Sequence, residues 1–73
     1  MKSQKLTVDI ASPPDRKRLV AMLLINNEQW AEINQESDKL TLELYPRQDG
    51  KPWVIDFDDA IQMLHTGKKR LSG

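Results

Sequence analysis

The sequence contains no cysteine. A chain without cysteine has neither disulfide bonds nor thiolate metal ligands, which excludes the usual disulfide-rich secreted scaffold and favours a reducing, cytoplasmic location. Long apolar stretches are also missing, because the longest uninterrupted run extends only from Leu19 to Ile25. A run of that length is too short for a signal peptide or a membrane-spanning helix. We therefore expect no membrane partner.

Groups that carry out catalysis are equally scarce. His65 is the only histidine and the only side chain expected to titrate near neutral pH. No serine or cysteine nucleophile motif accompanies it, so a surface histidine is the favoured interpretation. A chain of 73 residues buries only about 60% of the surface that its unfolded form exposes, which leaves too little material for both a core and a deep cavity. We expect a protein that is not an enzyme and holds no cofactor or metal.

The chain carries no net charge, because eleven basic side chains balance eleven acidic ones. This balance argues against the general positive field of a nucleic-acid-binding protein. The charges are nevertheless segregated along the chain. Residues 1–18 have five bases and two acids, residues 19–60 have three bases and nine acids, and residues 61–73 have three bases. An acidic middle therefore lies between two basic ends.

Alternation of apolar and polar residues predicts a sheet. In its clearest strand, residues 39–45, three leucines share one face. The run from Leu19 to Ile25 is consistent with a buried strand or a short helix, and the following Asn26 and Asn27 favour a hairpin because asparagine tolerates left-handed backbone geometry. The predicted strands are residues 5–11, 19–26, 29–35, 39–45 and 53–57.

A helix is predicted from about residue 58 onward. Asp56 and Asp58 are candidate N-caps, and acidic residues there complement the positive end of the helix dipole. Gly67 weakens a helix by up to about 1 kcal/mol relative to alanine and is expected to mark its end. These elements predict a single α+β domain over residues 1–73, an antiparallel β-meander of four to five strands with one C-terminal helix packed on one face.

The two tryptophans are candidates for a binding surface, because tryptophan is both a common interface anchor and a common core residue. Trp53 lies in register with Ile55 and Phe57 and is expected in the core. Trp30 lies between two glutamates and alternates with Ala31, so a partly exposed position is favoured, with core placement as the alternative. The predicted partner-binding residues are Glu28, Trp30, Glu32, Glu36 and Glu43.

The basic segments, residues 16–18 and 68–70, offer a second candidate site. Each resembles a phosphate-contacting patch. Neither contains an aromatic residue that would stack on bases, so solvated chain ends are favoured over nucleic-acid binding. The acidic cluster at residues 56–59 lacks the spacing of a calcium-binding EF-hand loop, and helix capping is the favoured interpretation there.

The sequence resembles small bacterial immunity-type proteins that are encoded beside polymorphic or rearrangement-hotspot toxins. The likeness lies in two stretches, EQWAEINQE at Glu28–Glu36 and LELYPRQDGKPWVIDFDDAIQMLHTGKKRL at Leu42–Leu71, and rests on their general pattern. It implies a protein that binds and neutralises a toxin, often a nuclease, by covering the toxin's active site with an acidic surface. The acidic middle of the chain would then speed association with a basic toxin domain.

Two functions follow as expectations. The first is a non-catalytic protein-binding module, most concretely an immunity protein that neutralises its cognate toxin. The alternative is a small nucleic-acid-binding or regulatory domain that uses residues 16–18 and 68–70. An exposed sheet edge would also permit a homodimer.

Overall fold

The fold is a four-stranded antiparallel meander with one helix, and the computed structural model describes residues 4–15 and 17–72. The strands lie in the sheet in their order along the chain, β1-β2-β3-β4. The predicted α+β architecture is thus confirmed, and the ambiguous run forms a strand from Val20 to Ile25. The elements are β1 Leu6–Ala11, β2 Val20–Ile25, β3 Glu28–Asn34, β4 Thr41–Leu44 and α1 Phe57–Ser72.

The prediction of a fifth strand at residues 53–57 is wrong. This segment lies across one end of the sheet, where the C=O of Val54 accepts a hydrogen bond from the side chain of Gln4 (3.4 Å). Trp53 and Ile55 pack against the core, whereas Val54 between them is exposed. The two-residue alternation therefore reflects burial of alternate side chains, which an unpaired extended segment shows as well as a strand does.

The turn between β2 and β3 has the left-handed geometry that its asparagines predict. Asn26 and Asn27 have φ angles of 52° and 69°. Asn26 also holds the start of β1, because its N–H donates to the C=O of Lys5 (2.7 Å) and its Oδ1 accepts from the N–H of Lys5 (2.8 Å). One turn thus aligns three strands.

Helix α1 begins where its capping residues predict. The carboxylate of Asp56 accepts a hydrogen bond from the N–H of Asp59 (3.1 Å), which satisfies one of the unpaired donors of the first turn. The helix does not end at Gly67 as expected. It continues to Ser72, and Gly67 lies buried against the sheet, where an added Cβ would be 2.9 Å from Cδ1 of Ile33. Close helix packing, not helix termination, explains this glycine.

A β-bulge in β3 decides the position of Trp30. Leu23 is opposite Ala31 and Leu24 is opposite Gln29, so Trp30 is the extra residue between them. Simple alternation would place Trp30 on the face of Glu32, but the bulge brings it into the core cluster beneath the helix. Trp30 is only 7% exposed, so the expectation of a partly exposed anchor is wrong.

The two edges of the sheet differ. In β1, the hydrogen-bonded pairing of Lys5 with Asn26 places the backbone groups of Val8 on the outer edge, since such pairs alternate along an antiparallel ladder. Arg70 at the end of the helix donates from Nη1 to the C=O of Val8 (2.7 Å). The helix C-terminus therefore occupies the central outward-facing carbonyl of β1.

Candidate protein-binding surface

The five residues predicted to bind a partner do not form one surface. Glu28 is half-buried at the start of β3 and accepts a hydrogen bond from the N–H of Gln48 (3.1 Å). Glu36 is exposed beyond the other end of that strand. Eight residue steps of extended chain separate them by about 26 Å, so they lie at opposite ends of β3. Trp30, the expected anchor, lies in the core.

The remaining two predicted residues lie side by side on the helix-free face of the sheet. Glu32 and Glu43 are opposite each other in β3 and β4. Glu32 is 6% exposed and accepts hydrogen bonds from the hydroxyl of Tyr45 (3.1 Å) and the amide of Asn34 (3.3 Å). Its carboxylate therefore takes part in internal bonding, as a buried charged group requires.

The basic segments share their surroundings with acids. Arg16 lies outside the described residues, whereas Lys17 and Arg18 are exposed and line a cleft of about 380 Å³ together with Glu36 and Asp38. Such mixed charge weakens attraction for phosphate. In the other segment, residues 68–70, the guanidinium of the last arginine caps the edge of β1.

The candidate catalytic and metal-binding groups of the described chain are few and are not clustered. His65 is exposed on the helix surface. Among residues 4–15 and 17–72, no group of three or more His, Cys, Asp or Glu side chains could hold a metal ion. The described helix is neither long enough nor apolar enough to cross a membrane.

The most distinctive surface is apolar and lies on the same side of the sheet as the helix. Leu42 is opposite Ile33 and Leu44 is opposite Ala31, so these leucines continue the face that forms the core. They nevertheless remain exposed, because α1 contacts β1, β2 and, less extensively, β3, with no comparable contact to β4 in the described chain. We call Leu40, Leu42 and Leu44 the leucine strip; they are 41%, 45% and 68% exposed.

The side of α1 next to β4 forms a wall opposite the leucine strip. Leu64 and Lys68 line a groove of about 200 Å³ together with Ile33, Leu40, Thr41 and Leu42. Phe57 and Ile61 continue the wall at helical spacing, because residues three and four apart share one face of a helix. Both are exposed. We call the space between this wall and the leucine strip the apolar trough; its helix side extends for about 16 Å. The helix residues of the trough are Phe57, Ile61, Leu64 and Lys68.

The outer edge of β4 lies next to the trough. The N–H of Tyr45 donates to the C=O of Trp30 (3.0 Å), so the alternating ladder directs the backbone groups of Glu43 towards β3 and those of Leu42 and Leu44 outward. β4 is the last strand in the sheet order. Its edge thus presents backbone donors and acceptors next to exposed apolar side chains.

Sequence reasoning placed the three leucines on one face but did not identify them as a surface site. The ratio of helices to strands in the sequence prediction could have indicated an uncovered part of the sheet. One helix is about 10 Å wide, whereas four strands about 4.8 Å apart span roughly 15–20 Å. A single predicted helix therefore leaves part of such a sheet uncovered.

Comparison with protein-family models, with curated proteins and with solved structures found no match. The resemblance to immunity-type proteins stays a prediction from the sequence.

Proposed function

We propose that this protein is a non-catalytic protein-binding module that takes up an apolar helix of its partner in the trough. The observation that carries this proposal is the leucine strip, which continues the core face of the sheet but has no cover from α1. Exposed apolar patches of this kind mark interaction sites on soluble proteins.

The geometry favours a helix as the bound segment. α1 lies mainly over β1 and β2 and reaches β3, which leaves β4 and the flank of α1 open to one further helix at this edge of the sheet. A partner helix with apolar residues at every third and fourth position would face Leu42 and Leu44 from above and Leu64 from the side. The two-layer arrangement of helices on a sheet would then be complete.

Burial of the strip supplies a substantial driving force. Complete burial of a leucine side chain contributes about 1.5–3 kcal/mol, and Leu44, the most exposed of the three at 68%, has the most surface to gain. A few such residues at the centre of a contact dominate the binding energy of many interfaces. The toxin domain implied by the sequence resemblance is one source of such a helix, and binding in the trough would not require an acidic surface.

Site-specific photocrosslinking in the cells that make the protein tests this proposal. A photoreactive phenylalanine analogue at position 44 should yield an adduct with a different protein, because Leu44 borders the trough. The same analogue at Gln62, which is exposed on the outer side of α1, should not. A synthetic peptide of the crosslinked partner segment should bind the purified protein, and Leu42→Lys should weaken that binding by about 30-fold.

The same experiment identifies the competing sites. Adducts at Glu36 with none at Leu44 would favour the acidic surface. Adducts of the analogue at Lys69 with nucleic acid would favour the basic alternative. Either result, or peptide binding that Leu42→Lys leaves unchanged, would contradict a partner helix in the trough.

A further inference from the structure

We infer that two copies of this chain pair through the outer edges of their β4 strands, with Leu42 on the two-fold axis. The pairing uses the backbone of β4, whereas the proposed partner helix would lie over the side chains of the leucine strip. The inference therefore goes beyond the proposed function and does not depend on it.

The segment available for pairing is short and sharply bounded. Residues 40–44 are extended, whereas residues 36–39 form a bend in which the hydroxyl of Ser37 donates to the C=O of Lys39 (3.0 Å) and accepts from its N–H (3.3 Å). At the other end, Pro46 has no N–H to donate to a ladder. Five residues therefore form the usable edge.

This segment is complementary to itself in one antiparallel register. The backbone groups of Leu42 and Leu44 point outward, and by the same alternation so do those of Leu40. With Leu42 opposite the partner's Leu42, Leu40 lies opposite the partner's Leu44, and all outward groups find partners. On the helix-free face, Thr41 lies opposite the partner's Glu43; its hydroxyl, which donates to the C=O of Lys39 (3.4 Å) in the single chain, would turn to donate to that carboxylate.

The neighbouring registers are worse for stated reasons. An axis through Glu43 places the two Glu43 carboxylates directly opposite each other, and like charges in that position are destabilising. An axis through Thr41 places Leu44 opposite the partner's Asp38, which lies in the bend. Only the axis through Leu42 pairs all five extended residues.

The resulting dimer has a continuous eight-stranded sheet with both helices on one face, and the two leucine strips lie side by side. Edge pairing of five residues gives a small interface, so we expect a dissociation constant in roughly the micromolar range. The contact is isologous, since each copy contributes the same strand.

Charge substitutions at Thr41 test the register. Thr41 is exposed; it borders the groove, but its side chain lies on the face of Glu43 and is not part of the leucine strip. Thr41→Lys creates two ion pairs with Glu43 across the axis and should lower the dimer dissociation constant about fivefold, whereas Thr41→Glu should raise it about as much. Sedimentation velocity over a range of protein concentrations measures both changes.

Substitutions of Thr7 are the matched control, because this residue lies in the opposite edge strand, β1. Thr7→Lys and Thr7→Glu change the net charge of the protein by the same amounts as the corresponding Thr41 variants. They should leave the dimer dissociation constant unchanged. Weakening by both Thr41 variants would indicate an axis at Thr41 and overturn the register. A monomer at all concentrations, or Thr41 effects equal to those at Thr7, would overturn the dimer. If the protein proved to be such a monomer but the analogue at position 44 still crosslinked to a different protein, the proposed function would stand without the dimer.

Discussion

At the scale of single residues, the bulge beside Leu24 holds the side chain of Trp30 in the core. Its indole N–H is buried without a hydrogen-bond partner among the described residues, which costs about 1–3 kcal/mol. The large apolar surface of the ring offsets that cost. No local motif announces such a bulge, so the position of Trp30 could not be read from the chain.

Gly67 gives a residue-scale prediction. An added methyl group would lie 2.9 Å from Cδ1 of Ile33 and 3.2 Å from Cβ of Ala21. Alanine improves helix propensity by up to about 1 kcal/mol, whereas overpacking costs about 1–3 kcal/mol. Gly67→Ala should therefore lower the free energy of unfolding. Ile33→Val removes Cδ1, so the double variant should lose about 1 kcal/mol less than the sum of the single losses.

Urea unfolding of the four proteins in this cycle measures the coupling. Gln62→Ala is the control for helix propensity, because Gln62 is exposed on the same helix and should change stability by only a few tenths of a kcal/mol. If Gly67→Ala stabilised the protein as Gln62→Ala does, the close approach of helix and sheet would be refuted.

At the scale of elements, the reliable predictions are those that rest on local chemistry. The left-handed asparagines, the Asp56 cap and the alternation in residues 5–11 and 39–45 are all visible within a few neighbouring residues. The false fifth strand at residues 53–57 has the correct burial pattern but no strand partner. Pairing is a property of distant segments, and alternation alone does not report it.

The turn between β2 and β3 gives an element-scale prediction. Asn26→Ala forces an unfavourable positive φ and removes the acceptor for the N–H of Lys5, so it should lower the free energy of unfolding by about 1–3 kcal/mol. Asn26→Gly tolerates the φ angle and should lose only the hydrogen bond.

Asn27→Gly is the internal control for the turn, since the Asn27 side chain makes no such bond to β1 within the described part of the chain and glycine accepts its φ of 69°. Thermal unfolding followed by circular dichroism ranks the three variants. Equal losses for alanine and glycine at position 26 would show that backbone strain plays no part there.

At the scale of the whole molecule, the sequence predicted the layers and the covered face but not the surface left open. Charge counting gave an acidic middle, and folding then separated Glu28 from Glu36 and placed Glu32 in internal hydrogen bonds. The candidate site in the structure therefore consists of apolar residues, whereas the sequence had predicted charged ones. Whether a leucine is covered depends on where the single helix crosses the sheet, which the sequence pattern does not specify.

If copies of the chain pair through β4 as proposed, the contact between Arg70 and Val8 limits how far that association proceeds. A sheet with two open edges adds copies without limit and grows into fibres, whereas one open edge allows growth to stop after a single pairing. Arg70→Ala should uncover the β1 edge and convert a closed pair into open-ended polymers, which light scattering and electron microscopy would detect. Lys69→Ala, which leaves the Arg70 contact in place, should remain free of polymers. The guanidinium of Arg70 would thus stop further copies from adding at the β1 edge.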